Sequence, residues 1–454
     1  MHQSSHKSKD TITEGSILRA IGSLSVPMLA GAVLQNLQSL IDLFWVGRLG
    51  PEAVAGVAMS GTVLMVLFPM LMGLCTGTTA LVARAVGAGH DADASAAATQ
   101  SIMASLVLGL LSGVVGWIFA EPLLHLLGAK PEVMADGSAY LKISLLGSFT
   151  VFVLFIGNAA LQGAGDALTP MYVMAVANVI NIVLDPLFIF GLGPFPRLGV
   201  AGAAWATVLA QAIAALISLR VLMKGRGRLH LHRAHWKPDF TLAWRILRIG
   251  IPGSGQMLSR SLMTAVMMRI VAGCGTAAVA AYGTGMRFHM IFLMPAFALG
   301  GTAATMVGQN LGAGKPARAR HAAWMAVWID AAIMGAAAAV MMAFSSAIIG
   351  FFNRDADVIR IGTEYLWIVS PFYVFAALGI VLGRALNGAG DSVSPMLITI
   401  LSLWGLQVPL ALALSRMWHP PTTGIWWAMA ASIVVQGILA ALWFETGRWK
   451  TTRV

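Results

Sequence analysis

Hydrophobic residues in this chain come in long runs rather than in alternation. Glycine, proline or clustered charge breaks one run from the next. Six runs fall in the first half, at about 17–46, 54–84, 96–119, 138–161, 168–190 and 199–222. Six more fill the second half, at about 246–272, 277–308, 320–349, 361–386, 393–415 and 424–444. A helix needs roughly 20 apolar residues to cross a hydrocarbon layer, and each run supplies them. Several runs exceed that length, which predicts tilted helices or helices reaching past the lipid. The first run is longer than a signal-peptide core of about 7–15 residues, so it reads as a retained span. The expected fold class is an all-α polytopic membrane protein with twelve transmembrane helices.

The pattern repeats. Ala160-Leu-Gln-Gly-Ala-Gly-Asp-Ala-Leu-Thr-Pro-Met171 returns as Ala385-Leu-Asn-Gly-Ala-Gly-Asp-Ser-Val-Ser-Pro-Met396, an offset of 385 − 160 = 225. Pro27 and Pro252 keep the same offset, as do Gly50 and Gly275, Gly87-Ala88-Gly89 and Gly312-Ala313-Gly314, and Tyr140 and Tyr365. A register held that far marks a duplicated and fused unit. Six spans per unit is an even number, so both copies enter from the same side. The repeats are parallel, related by an axis along the membrane normal. The expected division is a first lobe at 1–222, a basic linker at 223–245 and a second lobe at 246–454.

Composition agrees. The 454 residues are 58% hydrophobic and 10% charged, with mean hydropathy +0.80. Soluble domains carry about 25% charged residues. Cys75 and Cys274 lie in apolar runs and predict packing rather than a disulfide framework. Lys7, Lys9, Arg19, Arg84, the stretch from Arg220 to Arg248, Lys315, Arg318, Arg320, Arg384, Arg448, Lys450 and Arg453 fall on one side of the expected spans. The other side holds only Arg48, Lys130, Lys142, Arg197, Arg354, Arg360 and Arg416. The richer side is then cytoplasmic, with both termini inside. Topology accounts for the net charge of +11 without a nucleic-acid partner. His230, His232 and His235 of the linker have no Cys or carboxylate beside them, so a solvated connector is expected there rather than a metal site.

Ionisable groups inside spans are costly and point to function. Asp42 lies near the end of the first span, and Asp185 in the fifth. Asn178, Asn181 and Asp185 are spaced i, i+3, i+7, so they share one helix face that should look onto a polar cavity. Either carboxylate could instead mark a span end and meet water. Pro186 frees the carbonyl of Ile182, and Pro27 frees that of Ser23, giving places to bend. Gln35, Tyr140, Asn158 and Thr207 add polar groups, each also readable as a plain interhelical hydrogen bond. In the second half the partners of Asp42 and Asp185 are Met267 and Leu410, while Arg260, Arg269 and Arg287 appear. Asp330 is the clear acid there, with one of these arginines as its expected partner. No phosphate loop, His-Glu-x-x-His or nucleophile elbow occurs, so no enzyme is expected. Transport, if any, runs on an ion gradient or on none.

Together these features resemble the multidrug and toxic compound extrusion (MATE) family, over roughly Ile17 to Phe444. The resemblance rests on Pro27 with Leu34-Gln-Asn-Leu-Gln-Ser-Leu-Ile-Asp42, on Val46-Gly-Arg-Leu-Gly50, on Leu161-Gln-Gly-Ala-Gly-Asp-Ala-Leu-Thr-Pro170 and on Asn181-Ile-Val-Leu-Asp-Pro186. It implies two six-helix lobes in a V around a central cavity, and export of drug against H⁺ or Na⁺. It implies the DinF-like branch, in which the coupling group matches Asp42, Asn181 and Asp185, with Thr207 a looser match and Tyr140 and Asn158 at similar places. The NorM-like branch places acids where Arg260 and Ala376 stand. The expected function is therefore an H⁺-coupled (alternatively Na⁺-coupled) multidrug antiporter of amphiphilic, mostly cationic compounds. The expected alternative is a flippase or exporter of a lipid-linked or anionic metabolite. Coupling falls to Asp42, Asn181, Asp185 and Thr207. Gln35, Tyr140, Asn158 and Asn178 line the substrate cavity, and Pro27 and Pro186 are bends. No cofactor is expected beyond the coupling ion, and no metal beyond Na⁺ at Asp42, Asn181 and Asp185. Drugs and membrane lipids are the expected partners of a monomer in a bacterial inner membrane.

Overall fold

The computed structural model describes residues 12–225 and 228–452. Lys7, Lys9, Arg226 and Arg453, counted above toward orientation, lie outside them. The described residues are almost entirely helical. The first half comprises α1 (Ile17–Gly47), α2 (Pro51–Leu64), α3 (Leu67–Gly87), α4 (Asp91–Leu126), α5 (Pro131–Leu146), α6 (Ser148–Gly163), α7 (Leu168–Phe190) and α8 (Val200–Lys224). The second comprises α9 (Phe240–Ala272), α10 (Thr276–Gly312), α11 (Pro316–Ala343), α12 (Ser345–Phe352), α13 (Ala356–Val369), α14 (Tyr373–Gly388), α15 (Val393–Ile400), a π-helix (Leu401–Gln407), α16 (Val408–Met417) and α17 (Pro421–Glu445).

Helices occupy all twelve expected places, but not all are equally apolar. Among the described residues ten spans are long and apolar enough to cross a membrane. An eleventh appears if α5 and α6, bent by 45° at Gly147, count as one. The exception is α9, which is 33 residues long but carries Arg245, Arg248, Arg260 and Arg269.

The duplicated stretch is a turn with a structural job. Asp166 accepts from the backbone N–H of Thr169 at 2.9 Å and from its hydroxyl at 2.6 Å. Asp391 accepts from the N–H of Ser394 at 3.1 Å and from its hydroxyl at 2.7 Å. These bonds satisfy donors at the start of α7 and α15 that no helical carbonyl can reach. Gly165 and Gly390 turn the chain just before, at φ +90° and +92°, which only glycine adopts without strain.

The chain forms two compact units, and they do not follow the expected cuts. One is Val26–Ser254; the other gathers residues 12–25 and 255–452. So α1 begins in the second unit and changes to the first at Ser25/Val26, beside Pro27. Likewise α9 begins in the first unit and changes at Ser254/Gly255, beside Pro252. A hydropathy run shows where a helix lies but not which body each of its turns packs on, and that is why 1–222 and 246–454 missed the exchange. In the second unit, the Nε and Nη2 of Arg318 donate to the carbonyl of Ile12, both at 3.2 Å, and Lys315 donates to that of Thr13 at 3.2 Å.

The linker is docked rather than free. Gln100 of α4 donates to the carbonyls of His235 (2.8 Å) and Lys237 (2.7 Å) and accepts from the N–H of Asp239 (3.1 Å). The N–H of His230 donates to Ser95 at 3.0 Å, and Leu229 and Leu231 are buried. The linker's Lys224, His230, His232 and Lys237 side chains stay exposed, as a solvated connector requires. One amide side chain caps three of its backbone groups, because buried backbone groups need partners.

Candidate functional site

Three helices of the first unit bring the predicted coupling residues together. Asp42 comes from the second half of α1, Asn181 and Asp185 from one face of α7, and Thr207 from α8. The α7–α8 approach is set by Gly202. A Cβ there would lie 2.5 Å from the carbonyl oxygen of Phe188, so only glycine allows the contact. Thr207 stands a little over one turn further along α8. Its hydroxyl donates to the carbonyl of Ala203 at 3.0 Å, leaving its lone pairs for a neighbour.

Asn181 is the hub. Its Nδ2 donates to Asp185 Oδ1 at 3.2 Å and to Thr207 Oγ1 at 3.4 Å. Asp42 lies within side-chain reach of Asp185, Asn181 and Thr207. Asn181 and Asp185 are wholly buried, and Asn178 nearly so. Asn178, one turn earlier, donates to the carbonyl of Leu34 at 2.9 Å, tying α7 to α1. Tyr140 of α5 is within electrostatic reach of both carboxylates. It packs beside an apolar layer of Val46, Ala53, Ile189, Val200 and Ala203.

The acceptors outnumber the donors. Asp42 Oδ1, Asn178 Oδ1, Asn181 Oδ1 and Asp185 Oδ2 are all buried with no hydrogen-bond partner. Unmet acceptors in a low-dielectric setting are costly. A proton or a small cation is the chemistry that satisfies such an oxygen-only set. Among the described residues no group of three or more His, Cys, Asp or Glu side chains is placed to hold a metal ion. That includes His230, His232 and His235, whose rings instead pack on one another, 4.3 and 5.8 Å between centroids.

The remaining predicted residues divide. Pro27 and Pro186 sit inside α1 and α7, which continue through them. Gln35 is half-buried on α1, one residue past the carbonyl that Asn178 holds. Asn158 is buried in α6 with its Oδ1 unpartnered. Among the described residues no hydrogen bond ties Gln35 or Asn158 to the carboxylates. Gln38 went unnoticed in the sequence. It is buried one turn before Asp42, and the i, i+4 spacing was its signal. Arg48 does not serve Asp42: its guanidinium lies over the rings of Phe44 and Trp45, at 4.6 and 5.0 Å.

No such site forms among the described residues of the second unit. Asp330 is fully buried with both oxygens unpartnered, so it pairs with none of Arg260, Arg269 or Arg287. Arg269 and Arg287 are exposed, and Arg260 alone is half-buried.

Comparison with known proteins identifies the family. The MatE family model matches residues 27–187 and again 252–413. The probable multidrug resistance protein YoeA of Bacillus subtilis (strain 168) is 28% identical over 97% of this chain and 96% of its own. A protein of Shewanella oneidensis named FAD transporter is 28% identical over 89% of this chain and 90% of its own. A solved structure, the outward-facing conformation of a multidrug resistance MATE family transporter of the MOP superfamily, superposes with TM-score 0.89 at 27% identity, over 97% of this chain and 98% of that one. Family match, fold and duplicated architecture agree: this chain belongs to the MATE family of membrane transporters.

Proposed function

We propose that this protein is a proton-coupled multidrug antiporter that exports amphiphilic, mostly cationic compounds by alternating access. One observation carries the reading: Asp42, Asn181, Asp185 and Thr207 converge from three helices and leave buried acceptor oxygens unmet. In the outward-facing state the carboxylates hold an organic cation by charge. A proton entering from outside lies between Asp42 and Asp185 and removes that charge. The cargo loses its counter-ion and leaves. One site serving two cations in turn couples their movements without further machinery. Pro27, where α1 changes units, is the bend that empties the cavity, and Gln35, Tyr140, Asn158 and Asn178 line it. Na⁺ at Asp42, Asn181 and Asp185 is the alternative coupling ion. The absence of acid at positions 260 and 376 supports the DinF-like branch. The charge asymmetry supports a bacterial inner-membrane protein with both termini cytoplasmic. It works as a monomer among lipids, with no nucleic-acid partner and no cofactor beyond the coupling ion.

The test is accumulation of a fluorescent cationic dye in proteoliposomes, with pH and Na⁺ gradients imposed separately. Uphill movement on the pH gradient alone, lost in Asp42→Asn, supports the reading. Movement on Na⁺ alone keeps the site and changes the ion. Movement on neither removes the antiport reading. A second reading, export of an anionic or lipid-linked metabolite, is favoured by the unpaired Arg260 and by the FAD transporter relative.

A further inference from the structure

Among the described residues, Arg260 of the second unit has no side-chain partner. Arg260 sits mid-way along α9. Its neighbours on that face, Ser259, Met263 and Met267, are buried within the second unit. Gln256, one turn before, donates to Thr399 at 3.1 Å and to the carbonyl of Pro395 at 3.3 Å. Ser259 accepts from the indole of Trp404 at 2.8 Å. This face of α9 therefore looks into its own unit, and Arg260 looks with it. Among the described residues its guanidinium makes no hydrogen bond and no ion pair.

Other basic and polar groups gather on it. Arg384 of α14 and His289 of α10 both lie within electrostatic reach of Arg260. Arg384 follows Gly383, whose backbone faces Gln256, and its guanidinium lies 5.6 Å from the ring of Phe297. His289 Nδ1 meets the Tyr373 hydroxyl at 2.9 Å. Among the described residues no carboxylate of the unit forms an ion pair with Arg260: Glu14 holds Lys315 and Asp355 caps the start of α13. Asp391 holds Ser394, Glu445 holds Arg320 and Trp324, Glu364 holds Thr423, Asp357 holds Arg360, and buried Asp330 has no partner.

A guanidinium held inside a membrane protein without a counter-charge is costly unless something supplies the charge. We infer that Arg260, with Arg384, His289 and Tyr373, forms an anion-binding subsite in the second unit that takes the phosphate or carboxylate head of an amphiphile. The planar guanidinium matches two oxygens of such a head. Phe297, only partly buried, offers apolar surface to the rest of the molecule. The repeat places a neutral Gln35 at the position of Arg260, so the first unit keeps its acids and the second carries the opposite charge. A lipid headgroup and a free anionic amphiphile share this chemistry. The inference deepens the second reading above. Binding rather than transport is measured, so that the site and that reading can fail separately.

The experiment uses full-length protein in phosphatidylcholine nanodiscs. Fluorescence anisotropy is read with two xanthene dyes of opposite charge, 5-carboxyfluorescein and rhodamine 6G. Arg260→Gln installs the residue that the repeat itself uses. It should weaken carboxyfluorescein by about tenfold or more, the usual weight of a lost charge-assisted hydrogen bond, and leave rhodamine unchanged. Arg260→Lys keeps the charge and should lose less. Tyr373→Phe, which removes one neutral donor without bulk, should lose about threefold and keeps the test open if R260Q is lost on purification. Unchanged carboxyfluorescein binding in R260Q, or equal loss of both dyes, overturns the site. Phosphatidylglycerol added to the discs then separates the sources. If a headgroup is the occupant, it depresses carboxyfluorescein binding to the parent but not to R260Q. If the parent is unaffected, a free amphiphile is the ligand.

Discussion

The helix that carries the carboxylate site and its copy in the other half show how one duplicated element can take two chemistries. In α7, Asn178, Asn181 and Asp185 share a face, and the helix runs unbroken from Leu168 to Phe190. At the 225 offset the second half reads Leu403, Leu406 and Leu410, and the chain there passes through a π-helix, Leu401–Gln407. The MatE match shifts by one residue across this stretch. Its second occurrence starts 225 residues after the first (252 − 27) and ends 226 after it (413 − 187). A π-turn, with its i→i+5 bonds, lets a helix take up one extra residue without breaking. The polar groups left in that stretch are neutral: Gln407 accepts from Ser432 at 2.7 Å. Duplication has kept the turns and has changed the lining.

The largest expected effect breaks this comparison outright. Asp42→Asn or Asp185→Asn should reduce uphill dye transport to the protein-free background, because in the proposed cycle each removes a charge that alternates between cargo and ion. Leu410→Asn, 225 residues on from Asp185, should leave transport near the parent level. Accumulation in proteoliposomes under a pH gradient reads both. If Leu410→Asn is as damaging as Asp185→Asn, the two halves share the chemistry after all.

Close helix approach is common to both halves and sharpens the contrast. Gly202 of α8 lies against Phe188, and Gly424 of α17 lies against Leu414, each with room for no Cβ. Gly202→Ala and Gly424→Ala should each cost about 1–3 kcal/mol, the usual cost of overpacking, seen as a lower unfolding temperature in detergent. Only Gly202→Ala should also impair coupling, since it pushes Thr207 away from Asn181.

Much of this was legible in the sequence, and the limits have physical causes. The repeat was plain because the Ala160–Met171 and Ala385–Met396 turns need the same glycine and aspartate. The shared face of Asn181 and Asp185 was plain because helical spacing is local. That Asp42 and Thr207 would join them depended on the resemblance, since no local spacing links three helices. The exchange of α1 and α9 between units was invisible, because hydropathy is blind to which body a turn packs on. The docked linker was invisible for a similar reason: its partner, Gln100, lies far away in sequence. Asp330 was expected to find an arginine, but charge counting along a chain cannot show that Arg269 and Arg287 face outward.

Asp330 gives the next prediction. A carboxyl buried in α11 with both oxygens unpartnered is a defect that the second half tolerates, whereas the first half surrounds its acids with Asn and Thr. Asp330→Leu should stabilise the protein by about 1–3 kcal/mol, the cost of an unmet buried polar group. Asp185→Leu should not stabilise, because Asn181 would lose the acceptor it donates to at 3.2 Å. Thermal unfolding of the two variants side by side decides it. A fall in stability for Asp330→Leu means that the carboxyl has a partner only in another state of the transport cycle.

The smallest expected effect concerns what the halves share. Asp166 and Asp391 make the same pair of hydrogen bonds to the residue three positions on, within 0.2 Å of each other for the N–H bond (2.9 and 3.1 Å). Each satisfies a donor that the helix start leaves over. Loss of such a cap costs about 1 kcal/mol. Asp166→Ala and Asp391→Ala should therefore lower stability by similar amounts. The two changes should add, since they lie in separate compact units and touch no common partner. Unequal costs would point to Trp443, whose indole also donates to Asp391 at 3.3 Å. Trp443→Phe in the Asp391→Ala background separates that contribution from the cap, so a residual difference between the halves can be assigned to one hydrogen bond.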